Sequence, residues 1–505
     1  MISLKINNLR SLIDIPEIQI KPITLLIGAN GSGKSTFLRT FPLLKQTLLN
    51  RTRGAILWAG DENSYVDFGD FFTSLSTSAI NKEITFELNL PVSLINDDQD
   101  VSINPFGSLE DEVDQGLINL TFSIKHQTKT KVDYVNKVSL KYKEESINLK
   151  YKPDGGIVSF LLNGNVIRIE KDGLHYHPLD IEYGFLGINY RSLMRYFEEK
   201  LPKLLLSQDE KIAHFPIPEF TLRILYLKYI KSLTYNEVKP EGYLKYFIRE
   251  DNFTNLKIKN TEQAENVLKA YNMLQMLKVT LGTIRNLYIA SSYFEPIRAY
   301  AQRYYPLRNV SIDEIDSTGK NLAMYINSLS DNQVEKLNEF TKKHLSFTLS
   351  KKSTEGHVSI SISDDPNTGS YNLADTGFGY SQLIPMIIQI WKLVTEKERQ
   401  SNPRIVCIEQ PELHLHPRLQ SLFIQLLASV INKDEKNLSF ILETHSETFV
   451  NEVGNLIRKK TLNQDDVNIV IFEKEAEKTN VRMSGYDADG FLLDSWPFGF
   501  FDPIA

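Results

Sequence analysis

Cysteine is nearly absent from this chain of 505 residues, which contains one, Cys407. A single thiol excludes a disulfide-stapled fold and a metal site built from several cysteines. The sequence also lacks any run of about 18 consecutive apolar residues, and its first residues, MISLKINN, contain no hydrophobic signal-peptide core. We therefore expect a cytoplasmic globular protein that does not associate with a membrane.

The sequence has no large excess of charge of one sign, because 57 Lys and Arg oppose 63 Asp and Glu. This balance excludes a uniformly basic protein that wraps nucleic acid. It conceals local biases: residues 1–60 carry eight basic and two acidic residues, residues 61–120 one and thirteen, and residues 191–308 nineteen and twelve. Such segments predict separate surfaces with separate partners, although ordinary solvated faces would give the same counts.

Apolar periodicity divides the chain into three parts, residues 1–187, 188–344 and 345–505. The first part is rich in alternating or β-branched runs and Asn-Gly and Asp-Gly turns, which predict a meander of antiparallel strands. The second has helical spacing, with Val267, Tyr271, Leu274, Leu277, Leu281 and Ile284 on one stripe, and predicts a helical insertion. In the third, short apolar strands alternate with helices, which is typical of a parallel α/β core.

The strongest motif follows the apolar run Ile23–Ile27 and precedes a helical run. It is a complete G-x-x-x-x-G-K-S, whose backbone N–H groups are expected to bind phosphate oxygens. Lys34 would neutralise the β- and γ-phosphates of a nucleotide, and the Ser35 hydroxyl would bind Mg²⁺. The predicted nucleotide-binding residues of this segment are Gly28, Ala29, Asn30, Gly31, Ser32, Gly33, Lys34, Ser35 and Thr36.

Three further motifs lie in the last third of the chain. The apolar run that begins at Arg404 ends in Glu409, a carboxylate suited to hold Mg²⁺ near the γ-phosphate. The next apolar run ends in Leu442-Glu-Thr-His445, which places a histidine where it could polarise the attacking water. A segment with two glycines, Asp375–Gln382, precedes an apolar helical run and forms a second candidate anion site.

Together, in this order, these four motifs resemble the ABC-type ATPases, in particular the soluble branch related to chromosome-structuring and DNA-repair ATPases. The Leu-His-Pro segment ending at Pro417 is similar to that of the overcoming-lysogenization-defect ATPases. The resemblance implies an α/β P-loop NTPase fold with a mixed or parallel core sheet, an antiparallel β-region and a helical insertion. It also implies a head-to-tail homodimer that encloses two Mg²⁺–ATP, or a higher homo-oligomer formed through the same ATP sandwich.

The resemblance assigns roles to particular residues. Glu409 would be the metal-binding carboxylate together with Ser35, and His445 the residue that senses the γ-phosphate. The signature segment of one subunit would contact the nucleotide of the other through Gly377, Gly379, Ser381 and Gln382.

One position departs from the family pattern, because Gln410 stands where these ATPases keep a catalytic glutamate. A neutral amide cannot take a proton from water, and loss of such a base costs roughly 10²–10⁴-fold in rate. Two hypotheses remain open. Either Glu412 serves as the base, or the protein hydrolyses ATP slowly and works as an ATP-held clamp.

The C-terminal segment Asp489–Asp502 resembles the "WPxGFFD" box of bacterial ATPases found in mobile-element and anti-phage loci. This context predicts a nuclease or toxin effector as partner, with DNA as a second candidate. The competing interpretation is an ATP-bound scaffold that sequesters such an effector. The Lys- and Tyr-rich segment Tyr226–Arg249 suits either nucleic acid or the rim of a helical bundle.

Overall fold

A computed structural model describes most of the chain. The described residues are 1–60, 64–96, 116–167, 185, 190, 192–194, 196–197, 261–298, 300–307, 314–364, 369–395, 403–431, 437–476 and 478–494. The acidic block around residues 97–114, the segment Tyr226–Arg249 and the Trp-Pro-x-Gly-Phe-Phe-Asp part of the C-terminal box lie outside them.

Ten α-helices lie within the described residues. Their bounds are α1 Lys34–Leu38, α2 Thr40–Leu49, α3 Phe71–Ser74, α4 Val92–Asn96, α5 Thr261–Ile289, α6 Leu322–Ser328, α7 Asp331–Leu345, α8 Phe378–Thr395, α9 Pro417–Ile431 and α10 Glu447–Arg458. Short 3₁₀ turns occur at Leu373–Asp375 and Gln464–Asp466.

Nineteen strands lie within the same residues. Their bounds are β1 Ile2–Leu9, β2 Leu12–Asp14, β3 Ile18–Ile20, β4 Ile23–Gly28, β5 Glu83–Pro91, β6 Leu117–Gln127, β7 Val132–Tyr142, β8 Glu145–Tyr151, β9 Ile157–Leu162, β10 Asn165–Val166, β11 Ser292–Phe294, β12 Tyr305–Pro306, β13 Thr348–Thr354, β14 His357–Ser363, β15 Tyr371–Asn372, β16 Arg404–Glu409, β17 Leu438–Glu443, β18 Val467–Glu475 and β19 Lys478–Ser484.

The chain forms two compact units. The first contains Met1–Asn8, Gln46–Ala59 and Phe68–Ile289, and the second contains Leu9–Lys45, Gly60–Asp67 and Ala290–Ala505. The division after Ile289 lies inside the predicted helical insertion 188–344, whose boundaries stay a prediction. Each unit has its own sheet architecture.

An antiparallel sheet forms the body of the first unit, with strands in the order β10-β9-β8-β7-β6-β5-β1. The alternation of apolar and polar residues explains this sheet, because Ile118, Leu120 and Phe122 of β6 are buried while the residues between them are less so. The predicted stripe of α5 is buried along its length, from Val267 to Ile284. The sheet confirms the predicted antiparallel β-region, and the buried stripe confirms the predicted helical periodicity of α5.

A second sheet forms the core of the other unit, in the order β11-β16-β17-β4-β18-β19. All its neighbouring strands are parallel except β18 and β19, which are antiparallel. The residues of β4 and β16 are buried throughout, as expected of central strands covered on both faces. The mixed, mainly parallel core confirms the predicted α/β fold class.

This second unit also contains a small antiparallel sheet, in the order β12-β14-β13 with β15 beside β14. We did not predict this sheet from the sequence. Its strand β13 carries Ser350, Lys351, Lys352 and Ser353 in a row, so no apolar run marks it. Helix α8 packs into the apolar core between these sheets through residues that include Ile384, Ile387 and Trp391.

Candidate functional site

The loop after β4 is shaped by glycine. Gly28 has φ of 146°, and a Cβ atom placed on it would lie 2.1 Å from the Phe472 carbonyl oxygen on the neighbouring strand β18. Gly33, with φ of 100°, precedes α1 in a left-handed conformation. Only glycine adopts these conformations without strain, so the loop turns directly from a buried strand into a helix.

Lys34 lies inside this loop and is 3% exposed. Its Nζ donates hydrogen bonds to the carbonyl oxygens of Gly28 at 2.8 Å and Ala29 at 2.9 Å, and lies 3.8 Å from Oε1 of Glu443. Burial lowers the pKa of Lys34, and the charges of Glu443 and Glu412 oppose that shift. The ammonium is therefore held at the loop, where phosphate binding was predicted.

Ser35 donates from its hydroxyl to Oε1 of Glu443, at 2.9 Å. Glu443 ends β17 and pairs in register with Glu409, which ends β16. Burial raises the pKa of Glu443 to about 6, helped by the charge of Glu409 and opposed by the Ser35 hydrogen bond and Lys34. Sequence reasoning did not assign Glu443 a role, although it ends an apolar strand in the same way as Glu409.

Glu409 is 2% exposed, and its carboxylate accepts hydrogen bonds from two side chains, those of Arg39 and Tyr293. Arg39, from the turn after α1, donates Nε and Nη2 to its two carboxylate oxygens at 2.6 and 2.7 Å. The Tyr293 hydroxyl of β11 donates to Oε1 at 2.8 Å. The hydrogen bond to Glu409 raises the pKa of Arg39, and burial raises that of Tyr293. Neither residue was found from the sequence.

Gln410, Glu412 and His445 follow the same two strand ends. Gln410 has φ of 40°, and its N–H donates to the Glu443 carbonyl oxygen at 2.8 Å. The Glu412 carboxylate accepts the backbone N–H of His445 at 2.7 Å, and burial raises its pKa. Burial, together with the charge of Lys34, lowers the pKa of His445 to about 4, so its imidazole is neutral at pH 7.

The signature-like segment lies at the start of α8. Gly377 has φ of 77° and is exposed, while Gly379 packs beside the His414 carbonyl oxygen. Ser381 and Gln382 are buried, the Ser381 hydroxyl donates to the Phe378 carbonyl oxygen at 2.8 Å, and Gln382 contacts Arg298. The predicted contact of this segment with a second subunit's nucleotide remains a prediction.

In the described part of the chain, no group of three or more His, Cys, Asp and Glu side chains could hold a metal ion. Cys407 is buried in β16, and burial raises the pKa of its thiol, as expected of a small core residue. No helix among the described residues is long and apolar enough to span a membrane.

The residues of the loop fit a nucleotide with Mg²⁺. Among the described residues, the hydroxyl oxygen of Ser32 and Oε2 of Glu443 are buried without a hydrogen-bond partner. The other carboxylate oxygen of Glu443 contacts the Lys34 ammonium and the Ser35 hydroxyl. A hydroxyl and one or two carboxylates are the protein ligands that Mg²⁺ takes when phosphates supply the others. Ser35 and Glu443 are therefore suited to bind it. Glu409, the predicted metal carboxylate, is the register partner of Glu443, and its two oxygens accept from Arg39.

Comparisons with known proteins bear on these features. The family model described as "AAA ATPase domain" matches residues 1–450. An OLD nuclease from Thermus scotoductus (strain ATCC 700910 / SA-01) is 36% identical over 98 residues, which are 18% of this chain and 18% of that protein. That match therefore concerns one segment of each chain.

Two solved structures align along nearly the whole chain at low similarity. An SMC head domain from Thermotoga maritima is 10% identical, with 95% of this chain and 97% of that chain covered and a TM-score of 0.35. The recombination mediator protein RecF is 12% identical, with 95% and 97% covered and a TM-score of 0.28. TM-scores this low are not evidence for a shared fold. We assign the fold from the strand order and the glycine loop of this chain.

Proposed function

Because the chain belongs to the AAA ATPase domain family, we propose that it binds Mg²⁺–ATP at the loop Gly28–Ser35 and hydrolyses it slowly. The main support for this proposal is that side chains from the ends of three strands, β4, β16 and β17, lie close together. The Lys34 ammonium and Ser35 hydroxyl after β4 lie at hydrogen-bond or ion-pair distance from the Glu443 carboxylate of β17, whose register partner is Glu409 of β16.

Each residue then has a defined task. Lys34 and the N–H groups of the loop bind and orient the phosphates, as such loops do at the start of a helix. Mg²⁺, when bound by Ser35 and the carboxylates, supplies positive charge that offsets the charge of the phosphates. Neutral His445 would sense the γ-phosphate and polarise the attacking water, and Glu412, whose pKa burial raises, is the candidate substitute base. Gln410 cannot take a proton, which supports slow turnover.

The test is nucleotide binding and turnover by the full chain. We expect saturable, Mg²⁺-dependent binding of ATP, and Lys34→Ala should weaken it at least tenfold. Lys320→Ala removes a lysine that is exposed and lies outside the loop, so it should bind as the unmodified chain does. Equal binding by Lys34→Ala and Lys320→Ala would show that the loop is not the nucleotide site.

A head-to-tail homodimer around two nucleotides is the assembly that we propose for the active state. Its support is the aromatic patch, defined as Tyr300, Phe378 and His414, beside the signature-like Gly377. Tyr300 and Phe378 are 62% and 54% exposed. Their ring centroids lie 5.0 Å apart in an edge-to-face contact, and the ring centroids of His414 and Phe378 lie 5.7 Å apart. Exposed aromatic side chains grouped in this way are typical of interaction surfaces.

The dimer would couple its nucleotide state to a partner. A nuclease or toxin effector in anti-phage defence or a mobile element is the partner class that we propose, with DNA as the second candidate. Gln410 favours one alternative function, a catalytically weak ATP-bound scaffold that sequesters the effector. Undetectable turnover while the ATP-bound dimer persists would favour the scaffold. DNA-stimulated turnover that falls steeply with salt would favour DNA.

A further inference from the structure

The carboxamide of Gln382 is bound to both backbone groups of one residue. Its Oε1 accepts the N–H of Arg298 at 3.1 Å, and its Nε2 donates to the Arg298 carbonyl oxygen at 3.2 Å. Gln382 is 2% exposed. The carboxamide therefore pairs with the backbone of Arg298 as the backbone of an adjacent β-strand would. Only a side chain with both a donor and an acceptor can make these two hydrogen bonds.

Arg298 in turn contacts the last residue of β16. Its Nη2 donates to the backbone carbonyl oxygen of Glu409 at 3.2 Å. Arg298 is 1% exposed, and its Nε and Nη1 have no hydrogen-bond partner within the described residues. A buried guanidinium with so few hydrogen bonds is costly, so its position depends on the groups that hold its backbone.

The segment that contains Arg298 has two more attachments. On the same helix α8, Gln389 donates its Nε2 to the Ser292 hydroxyl at 3.0 Å. Tyr293, the next residue of β11, donates its hydroxyl to the Glu409 carboxylate at 2.8 Å. We call residues 292–298 the coupling segment. It is bound to α8 at both ends and contacts Glu409 at both its carboxylate and its carbonyl.

We infer that the coupling segment positions Glu409 for Mg²⁺, and that Gln382 does its work within its own chain by fixing this segment to α8. Arg298, Tyr293 and Gln382 are positioning residues in this scheme, since none of them needs to touch the nucleotide. Loss of a comparable outer partner of a metal ligand costs about 10–100-fold in metal affinity. The inference rests on the proposed function, because it assumes that Glu409 binds Mg²⁺.

The test uses the full chain at a concentration low enough to keep it monomeric, checked by sedimentation. Binding of a fluorescent ATP analogue is titrated with Mg²⁺ and also measured in EDTA. We expect Gln382→Leu and Arg298→Met to raise the Mg²⁺ concentration for half-saturation about tenfold or more, with binding in EDTA unchanged. Gln425→Leu changes an exposed glutamine of α9 that bonds Glu452, and it should behave as the unmodified chain.

A second variant keeps the inference testable if the buried substitutions prevent folding. Tyr293→Phe removes one hydroxyl and leaves the ring in place, and we expect it to raise the half-saturating Mg²⁺ concentration about threefold or more. Folding of each variant is checked by circular dichroism.

The outcomes separate the two proposals. If the unmodified chain does not bind the nucleotide, the proposed function fails and the inference falls with it. If the chain binds, but Gln382→Leu and Tyr293→Phe leave the monomer's Mg²⁺ dependence unchanged, the inference alone is overturned. A Gln382→Leu defect seen only after dimerisation would also overturn it, because that is the result expected of a contact across subunits.

Discussion

Two acidic residues, Glu409 and Glu443, end adjacent strands and differ in their partners. Glu409 is bound by the guanidinium of Arg39 and the hydroxyl of Tyr293, whereas Glu443 accepts from the neutral hydroxyl of Ser35 and lies 3.8 Å from Lys34. Burial near the charge of Glu409 accordingly raises the pKa of Glu443 to about 6. At the residue scale, Glu443 is thus a carboxylate that ionises less readily than an exposed glutamate, even with Lys34 beside it.

Glu443→Gln should stabilise the chain at neutral pH in the absence of nucleotide and Mg²⁺. The pKa of Glu443 is raised in the folded state from 4.5 to about 6, so the folded state binds more protons than the unfolded state in this interval. Stability therefore falls as pH rises from 4.5 to 6, by up to about 2 kcal/mol, and the amide removes this loss. Urea unfolding at pH 4 and pH 7.5 measures it.

For this variant the unmodified chain is the control at both pH values. A stabilisation of the same size at pH 4 and pH 7.5 would contradict the assignment to ionisation of Glu443. The same substitution should weaken Mg²⁺-dependent nucleotide binding, because it removes one candidate metal ligand.

Gln410→Glu and Glu412→Gln test which residue takes the proton from water. Restoring a carboxylate at Gln410 should raise kcat by up to about 10²-fold. If Glu412 is the base, Glu412→Gln should lower kcat at least tenfold, and the activity of the unmodified chain should fall at acidic pH as Glu412 protonates. Steady-state phosphate release measures both. Unchanged turnover in Glu412→Gln would rule out Glu412 as the substitute base.

At the element scale, the junction of β4, α1 and β18 is the most constrained part of the site. Gly28 pairs in register with Phe472 of β18, so a side chain at Gly28 would meet the backbone of a central strand. Gly31 also has a positive φ, of 72°, but no atom of the described residues lies within 4 Å of the place where its Cβ would be.

Gly28→Ala should therefore destabilise the second unit much more than Gly31→Ala does. The left-handed conformation alone costs an alanine about 1–2 kcal/mol, and this is the loss expected at Gly31. At Gly28 the backbone clash adds to it, and we expect a total above about 3 kcal/mol. Chemical denaturation of both variants gives the comparison. Equal losses would mean that β18 can move away from the loop at little cost.

At the scale of the whole molecule, the proposed dimer depends on the aromatic patch. We expect the chain to sediment as a dimer with ATP and Mg²⁺ and as a monomer without them. Phe378→Ser should shift this equilibrium toward the monomer by about tenfold, because it removes the central ring of the patch. Phe72→Ser is the matched control, because Phe72 is a phenylalanine of the first unit that is also exposed, by 56%. Equal dimerisation of both variants would place the interface elsewhere.

Much of this architecture is encoded locally and could be predicted from the sequence. The buried runs of β4, β16, β17 and β18 and the glycine loop each consist of neighbouring residues whose apolar character or backbone freedom selects one conformation. The same holds for the buried stripe of α5. Strands such as β13, which has little apolar character of its own, were missed because their pairing partners stabilise them.

The contacts inside the site could not be predicted from the sequence, because they join residues far apart in the chain. Ser35 and Glu443 are 408 residues apart in the chain, and Arg39 and Glu409 are 370 apart, so no local pattern could join them. The same is true of Gln382 and Arg298. That a glycine-rich loop follows a buried strand could be predicted from the sequence, because this feature depends on local backbone conformation and burial. Which carboxylate faces the loop depends on strand order, and strand order exists only after the sheet has formed.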